Sequence, residues 1–222
     1  MGACHTTAAP HSGQKPALTV ALAGNPNCGK SALFNAFTGI RQKTGNWPGV
    51  TVERKEGRFE LEGRQVAVVD LPGIYSLDAS SLDEQVTRSY LLSREADLVV
   101  NVVDAANLER NLYLTVQLLE MGVPMVLALN MMDVARKRGI QIDAGLLAQE
   151  LGCPVVPIVA VSREGTTELK ARMLAVADGH EQGGFSLALD EVVEQAVADL
   201  EPEVGDHPAA VVAALGPQID NP

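Results

Sequence analysis

Between residues 18 and 177, short apolar runs alternate with longer segments of helical periodicity. The apolar runs are continuous and rich in Val and Leu, which is typical of strands buried on both faces of a parallel sheet. The predicted strands span residues 18–23, 65–69, 98–103, 125–129 and 155–161. The predicted helices span residues 30–37, 81–93, 108–121, 144–151 and 167–177. This alternation predicts a doubly wound α/β fold, with a mostly parallel sheet and helices on both faces.

Residues 52–61 depart from this pattern because charged side chains occupy most of their positions. A strand of this composition is expected to face solvent more than the others. The Glu62-Gly63 pair that follows is a turn signal. We therefore predict an edge strand over 52–61 that forms a hairpin with residues 65–70.

The charge distribution divides the chain into segments. The sequence has 17 Lys and Arg against 28 Asp and Glu, a net charge of −11, yet no Lys or Arg follows Arg172 while ten acidic residues do. We predict a disordered tail over 1–16, a main domain over 17–180 and an acidic helical segment over 181–222. Apolar residues between Leu187 and Leu200 recur at helical spacing, but about 40 residues are too few to bury a core of their own. The acidic balance argues against nucleic acid as a partner, because nucleic-acid binding needs a cationic surface.

Three scattered cysteines favour a reducing compartment over a disulfide framework. No apolar run reaches the roughly 18 residues of a membrane helix, and the N-terminal residues lack the apolar stretch of a signal peptide. From these features we expect a soluble cytoplasmic chain.

A glycine-rich motif follows the first predicted strand and opens the first predicted helix. Its residues match the phosphate-loop pattern G-x-x-x-x-G-K-[S/T]: Gly24, Asn25, Pro26, Asn27, Cys28, Gly29, Lys30 and Ser31. In such a loop the backbone N–H groups and the helix N-terminus bind phosphates. Lys30 is predicted to bridge the terminal phosphates and the Ser31 hydroxyl to bind Mg²⁺.

A second motif, Asp70-Leu71-Pro72-Gly73, follows the strand at 65–69. A carboxylate at this end of a strand lies where open α/β sheets bind their ligands. We predict that Asp70 reaches Mg²⁺ through water and that the Gly73 amide senses the γ-phosphate.

Two further segments predict which base is bound. In Asn130-Met131-Met132-Asp133, the Asp133 carboxylate can accept hydrogen bonds from guanine N1–H and its 2-amino group, and adenine offers neither. Asn130 is expected to contact the ring edge and to brace the phosphate loop. The loop after the last strand, Ala160-Val161-Ser162, is expected to supply a backbone amide to the guanine carbonyl. Together these motifs select GTP over ATP.

Through these motifs, the sequence resembles the cytoplasmic GTPase domain of the bacterial ferrous-iron transport protein B family. The resemblance covers residues 18–178 and rests on GNPNCGKSALFN at 24–35, GNWPGVTVE at 45–53, DLPGIYSL at 70–77 and NMMD at 130–133. The block at 45–53 is the most specific, because small GTPases in general lack it. The resemblance implies a Ras-like P-loop GTPase fold with a short C-terminal helical appendage.

The resemblance also implies roles for individual residues. Thr51, in the segment with Gly49 and Val50, corresponds to the switch I threonine that closes on Mg²⁺ and the γ-phosphate. Asn27 matches the position where related GTPases coordinate K⁺, and residues 45–48 correspond to the loop that shields this ion. Ala32, directly after the phosphate loop, is also expected to contact the nucleotide. Trp47 is expected either to anchor this loop by burial or to move with it.

By the same resemblance, the partner is a membrane-spanning Fe²⁺ permease region of the same protein, at the cytoplasmic side of the bacterial inner membrane. Homo-oligomers are left open. Lys30, Thr51, Gly73 and Asn27 are the expected catalytic residues. Ile74 stands where many GTPases carry a water-orienting Gln, so intrinsic hydrolysis is expected to be slow.

Two alternatives remain at this point. One is a ribosome-assembly or RNA-modification GTPase, which shares the motifs but needs a basic surface. The other is a non-catalytic guanine-nucleotide sensor, suggested by Ile74. Ala160 departs from the Ser that many family members carry there, and we expect the loss of that hydroxyl to affect nucleotide release.

Overall fold

The computed structural model describes residues 16–39 and 42–180. Its strands are β1 (Leu18–Gly24), β2 (Gln42–Asn46), β3 (Glu53–Leu61), β4 (Arg64–Asp70), β5 (Leu98–Asp104), β6 (Met125–Asn130) and β7 (Val155–Pro157). Its helices are α1 (Lys30–Thr38), α2 (Leu82–Leu92), α3 (Leu108–Glu120), α4 (Met132–Lys137), α5 (Ala144–Leu151) and α6 (Thr166–Ala177), with a single 3₁₀ turn at Ala105–Asn107.

The strands form one sheet in the order β2-β3-β4-β1-β5-β6-β7. In this order, the five strands β4, β1, β5, β6 and β7 are parallel to one another, whereas β3 runs antiparallel to both β2 and β4. This is the mostly parallel sheet that the sequence predicts. The antiparallel hairpin of β3 and β4 turns at Glu62-Gly63, where both residues have positive φ.

Apolar side chains bury both faces of the central strands, as the continuous runs predict. On one face Leu33 and Phe34 of α1 and Leu169 of α6 pack on alternate residues of β1 and β5. On the other face Tyr90 of α2 and Leu114 of α3 pack on the intervening residues. The sheet is therefore the middle layer of three, and its helices fix where the loops at the strand ends lie.

The structure corrects two predicted elements and adds two that were not predicted. Residues 53–61 form a strand, but β2 pairs outside it, so β3 is not at the edge. All five residues of β2 are exposed and none is Val, Ile or Leu, so apolar patterning could not reveal this strand. The last strand ends at Pro157. The Ile158 N–H still donates to the Leu129 carbonyl at 2.8 Å, and Val159 pairs with Glu164 outside the seven strands. Helix α4 was not predicted, because six residues are too short to show a periodicity.

The predicted N-terminal tail, apart from Pro16, and the acidic helical segment lie outside the described residues. Helix α6 ends at Ala177, close to the predicted boundary of the main domain. Within residues 16–39 and 42–180, none of the helices has the length and apolar character needed to cross a bilayer.

Candidate nucleotide-binding site

The sequence motifs meet at one edge of the sheet, because the carboxyl ends of the parallel strands lie side by side. Gly24 ends β1, Asp70 ends β4 and Asn130 ends β6. The strand register pairs Leu22 with Asp70 and Asp104 with Asn130. Residues that are 106 positions apart in sequence are thereby placed around one loop. This is the edge at which open α/β sheets bind their ligands.

The phosphate loop requires glycine at two positions. Gly24 has φ +146°, and a Cβ on it would overlap the Val102 carbonyl oxygen. Gly29 has φ +96°, and a Cβ there would overlap the Asn130 amide nitrogen. Both backbone conformations are strained for other residues. The two glycines thus let the loop curve closely against β5 and Asn130.

Lys30 and Gly73 are brought together, as their predicted shared role at the phosphates requires. Lys30 is buried, and its Nζ donates to the Gly24 carbonyl at 3.4 Å. A Cβ on Gly73 would lie 3.1 Å from that Nζ and 3.1 Å from Pro26 Cα. Gly73 therefore rests on the phosphate loop with no room for a side chain. Ser31 follows Lys30 in the first turn of α1 and is exposed.

Asp70 lies beside this lysine in a partly buried position. Burial raises the pKa of the Asp70 carboxyl above its ordinary value, and the nearby Lys30 and Lys55 charges oppose this shift. Its Oδ1 is buried and has no hydrogen-bond partner among the described residues. A buried carboxylate oxygen without a partner is costly and is suited to a cation or its water shell.

This raised pKa makes a prediction about stability. In the pH range just above 3.8, the ordinary value for Asp, folded Asp70 keeps a proton that the unfolded chain has released. Stability is therefore lost as pH rises through that range. We expect Asp70→Asn, which stays neutral, to melt at a higher temperature than the parent protein at neutral pH without nucleotide.

The same comparison made by thermal melts well below pH 3.8 should show a much smaller difference, because Asp70 is then largely protonated in both states. An equal difference at both pH values would contradict the assignment. Asp83→Asn, which changes an exposed carboxylate in the first turn of α2, serves as the matched control.

Asn130 joins the phosphate loop to the loop after β7. It is 4% exposed, and its Nδ2 donates to the Cys28 carbonyl at 2.9 Å. Its Oδ1 accepts from the Ala160 N–H, also at 2.9 Å. Both bonds are buried and span long sequence separations. The predicted brace is present, and it connects the phosphate side of the site to the base side.

This brace limits which amide of the Ala160-Val161-Ser162 loop is available to a ligand. Its amide is already donated to Asn130, so it is not available to a guanine carbonyl. The Val161 and Ser162 amides donate to no other group in the described part of the chain, and Val161 is 87% exposed. Within the predicted loop Ala160-Val161-Ser162, the amides that remain to donate to a ligand are therefore those of Val161 and Ser162. The lack of a side-chain hydroxyl at Ala160 leaves the backbone brace intact.

Asp133 lies in the first turn of α4, where the helix N-terminus favours its negative charge. Its ion pair with Lys137, 3.9 Å between Oδ2 and Nζ, is exposed and weak. Met131 precedes it with φ +62° and places its methyl group near Gly29. The chain thus turns sharply after β6, so that Asn130 points to the phosphate loop while Asp133 reaches the surface.

The remaining phosphate-loop side chains differ in exposure. Asn27 is exposed with φ +64°, at the rim of the loop. Asn25 is 3% exposed, and neither of its amide atoms has a partner among the described residues. Cys28 is buried, and burial raises the pKa of its thiol. A thiol of raised pKa supports the interpretation of Cys28 as a loop filler. Pro26 and Ala32 are half-buried beside them.

Thr51 is not brought to this cluster. It is exposed, and no hydrogen bond joins it to another of the described side chains or loops. It follows a tight turn in which the Val50 N–H donates to the Trp47 carbonyl at 3.2 Å. Gly49 has φ +78°, as the third position of such a turn requires after proline. Trp47 is 6% exposed, so of its two expected roles the structure shows the buried anchor.

Sequence reasoning missed Asp104, which ends β5 at the same edge of the sheet. The rule that identified Asp70, a carboxylate directly after a buried strand, would also have found it. Its oxygens accept from the Ala106 N–H at 2.8 Å and from Asn107 Nδ2 at 2.7 Å. Asp104 therefore shapes the turn behind the phosphate loop. Ile74, by contrast, is buried in the core, and its side chain plays no part at the site.

Comparison with known proteins agrees with these motifs. Residues 18–173 match the family model described as ferrous iron transport protein B. The chain is 58% identical over 157 residues to the Fe(2+) transporter FeoB of Salmonella typhimurium and 57% identical to that of Escherichia coli K12. Each match covers 69% of this chain and 20% of the relative, so the chain spans about a fifth of the length of these transporters.

Solved structures show the same fold. The cytosolic domain of L. pneumophila FeoB superposes with a TM-score of 0.81 at 41% identity, covering 91% of this chain and 89% of that one. The cytosolic domain of T. maritima FeoB in its GMPPNP form superposes with a TM-score of 0.83 at 40% identity, covering 92% and 87%. The fold is thus the Ras-like P-loop GTPase fold that was predicted. On the extent of the family match and the identity to these relatives, the chain belongs to the ferrous iron transport protein B family.

Proposed function

We propose that this protein binds GTP and hydrolyses it to GDP and phosphate, as the nucleotide-dependent switch of a ferrous-iron transporter. The observation that carries this proposal is the Asn130 brace, which ties the phosphate loop to the base-side loop. The T. maritima FeoB cytosolic domain is known in GDP and GMPPNP forms, which supports guanine nucleotides as ligands here.

Nucleotide selection follows from what each group can donate or accept. Asp133 accepts from guanine N1–H and the 2-amino group, and the amide of Val161 or Ser162 donates to the guanine carbonyl. Adenine has an amino group at the position of the guanine carbonyl. It also has neither the N1–H nor the 2-amino group of guanine, so all three contacts are lost. At the other end, the backbone amides of the loop and Lys30 hold the phosphates.

The residues present fit Mg²⁺. Asp70 supplies a buried carboxylate oxygen without a partner, and Ser31 supplies a hydroxyl at the start of α1. When bound, Mg²⁺ would neutralise charge on the β- and γ-phosphates. Thr51 is the third proposed ligand, and it has to move from its exposed position to serve as one.

Hydrolysis has to proceed without a glutamine, because Ile74 occupies that position and is buried. We propose that the Gly73 amide and Lys30 bind the γ-phosphate while backbone groups orient the attacking water. Asn27, exposed at the rim of the loop, offers an amide oxygen to K⁺, a cation that could stand in for an arginine finger. The intrinsic rate is expected to be slow.

Coupling to transport is proposed from the family. The 58% identity is to an Fe(2+) transporter, and this chain corresponds to about a fifth of its length. We place the domain at the cytoplasmic side of the bacterial inner membrane, joined to a membrane region that conducts Fe²⁺. Neither the RNA-associated alternative nor the non-catalytic sensor gains support from the comparisons.

The proposal is tested by measuring phosphate release from GTP at equal concentrations of KCl and NaCl. We expect turnover in both salts and faster turnover in KCl. Asn27→Ala should abolish the difference between the salts while its affinity for a fluorescent GDP analogue stays within about twofold of the parent's. No turnover in either salt would exclude the enzyme, and K⁺ stimulation that survives in Asn27→Ala would exclude the ion site.

A further inference from the structure

The chain's only tryptophan is buried outside the nucleotide site. Trp47 lies between β2 and the Pro48-Gly49 turn, and its ring packs edge-on against Tyr90 of α2. The ring centroids are 5.2 Å apart and the planes meet at 67°. Tyr90 is 4% exposed. Edge-to-face aromatic pairs of this kind are attractive beyond their buried area.

Arg54 of β3 completes the cluster. Its guanidinium carbon lies 4.5 Å from the centroid of the Trp47 ring and 5.7 Å from that of Tyr90. Its Nε lies 2.6 Å from Glu56 Oε1 in an ion pair that lacks hydrogen-bond geometry. A cation over a desolvated tryptophan face is a favourable contact. The three side chains belong to a turn, a strand and a helix, and together they connect these elements.

Backbone hydrogen bonds tie the loop that holds Thr51 to Trp47. The Trp47 N–H donates to the Val52 carbonyl at 2.9 Å, and the Trp47 carbonyl accepts from Val50. Thr51 is thus enclosed in a short loop whose two ends are bonded to Trp47. While Trp47 stays packed on Tyr90, Thr51 stays exposed.

Two observations indicate that this arrangement can be released. The Trp47 Nε1 is buried without a partner in the described chain, which costs free energy that exposure would recover. A cavity of about 350 Å³ separates Pro48 and Val50 from Leu82 and Val86 of α2, so the turn has room to move. The packed position is therefore held mainly by the aromatic and cationic contacts.

We propose that Trp47, Arg54 and Tyr90 form an aromatic latch that keeps Thr51 away from the nucleotide site until Mg²⁺ and GTP draw it in. Arg54 and Tyr90 are positioning residues in this proposal, and it rests on the proposed GTPase function. Closure on the γ-phosphate then has to overcome the latch, so the affinity for GTP is lower than the site alone would provide.

The fluorescence of Trp47 tests the latch directly in the full chain. We expect emission at short wavelength without nucleotide or with GDP, and a shift to longer wavelength with Mg²⁺ and the non-hydrolysable analogue GMPPNP. Arg54→Ala should bind GMPPNP about three- to tenfold more tightly and leave GDP affinity unchanged. Its KM for GTP should fall by the same factor with kcat unchanged. Arg54→Lys, which keeps a cation, should lie between Arg54→Ala and the parent.

Arg58→Ala is the matched control, because Arg58 is an exposed arginine on the same strand. If Arg54→Ala and Arg58→Ala bind GMPPNP equally, or if Trp47 emission is unchanged by GMPPNP in the parent protein, the latch does not exist. Failure of the proposed function gives a different result, since neither GDP nor GMPPNP would then bind. Tyr90→Leu, which keeps an apolar side chain in the core, should reproduce Arg54→Ala.

Discussion

Asp133→Asn is expected to weaken GTP binding by about 10²–10⁴-fold, because it removes two hydrogen bonds to a charged carboxylate. An asparagine retains one acceptor oxygen and places an N–H group against the N–H donors of guanine. Asp133 lies in the first turn of a short helix and makes only a weak, exposed ion pair, so the fold should tolerate the change. Competition against a fluorescent GDP analogue measures the loss.

The same substitution should improve binding of xanthosine triphosphate. Xanthine carries a carbonyl oxygen where guanine carries its 2-amino group, and the asparagine amide can donate to it. A loss of affinity for both nucleotides would point to damage of the site instead of altered base recognition. Asp83→Asn removes an exposed carboxylate far from the motifs and should leave both affinities unchanged. If ATP competes with GTP at similar affinity in the parent protein, the role of Asp133 is wrong.

Asn130→Ala is expected to lower both stability and nucleotide affinity. It leaves the Cys28 carbonyl and the Ala160 N–H buried without their partner, at about 1–3 kcal/mol each. We expect a total loss of about 2–6 kcal/mol, which lowers the melting temperature by several degrees or more. Nucleotide should restore little of this loss, because the variant loop binds it poorly.

Asn130→Asp separates the two halves of the brace. A carboxylate still accepts from the Ala160 N–H but repels the Cys28 carbonyl oxygen, so only the phosphate side should be disturbed. Because this carboxylate is also desolvated, we expect Asn130→Asp at neutral pH to melt at or below the temperature of Asn130→Ala. Asn107→Ala, which changes an exposed asparagine, is the control for loss of an amide as such. Equal melting temperatures for Asn130→Ala and Asn107→Ala would show that the brace contributes nothing.

Much of the fold follows from local pattern. The strands β1, β4, β5 and β6 are long enough and apolar enough to be recognised one at a time, because each is buried by helices on both faces. Strand β2 could not be recognised in this way. It is a fully exposed edge strand held by pairing with β3 and by hydrogen bonds from the Gln42 side chain, and neither leaves an apolar pattern in its composition.

Some residues of the candidate site were likewise recognisable from the sequence, and others were not. The glycines of the phosphate loop, Lys30 and Asp133 are recognisable because their chemistry demands particular residue types at short spacing. The role that Ala160 has in the brace was not recognisable. The side chain that takes its amide lies 30 positions earlier in the chain, and nothing near Ala160 in sequence records that contact.

The charge of the protein also divides into a part that the sequence shows and a part that it does not. The total of −11 describes a nearly neutral domain followed by an acidic end, and this asymmetry is visible from the sequence alone. The electrostatics of the site are not visible from the sequence, because burial raises the pKa of Asp70 against the opposing charges of lysines that folding brings near it.

The sequence by itself determined the α/β class, the guanine-nucleotide motifs and the family, since periodicity and residue type act over a few neighbouring positions. Only the tertiary structure decided that Asn130 spans the two halves of the site, that Thr51 lies outside it and that Trp47 is buried against Arg54 and Tyr90. Each of these depends on contacts between residues distant in the chain. Such contacts exist only after the sheet has aligned its strand ends and the helices have packed on its faces.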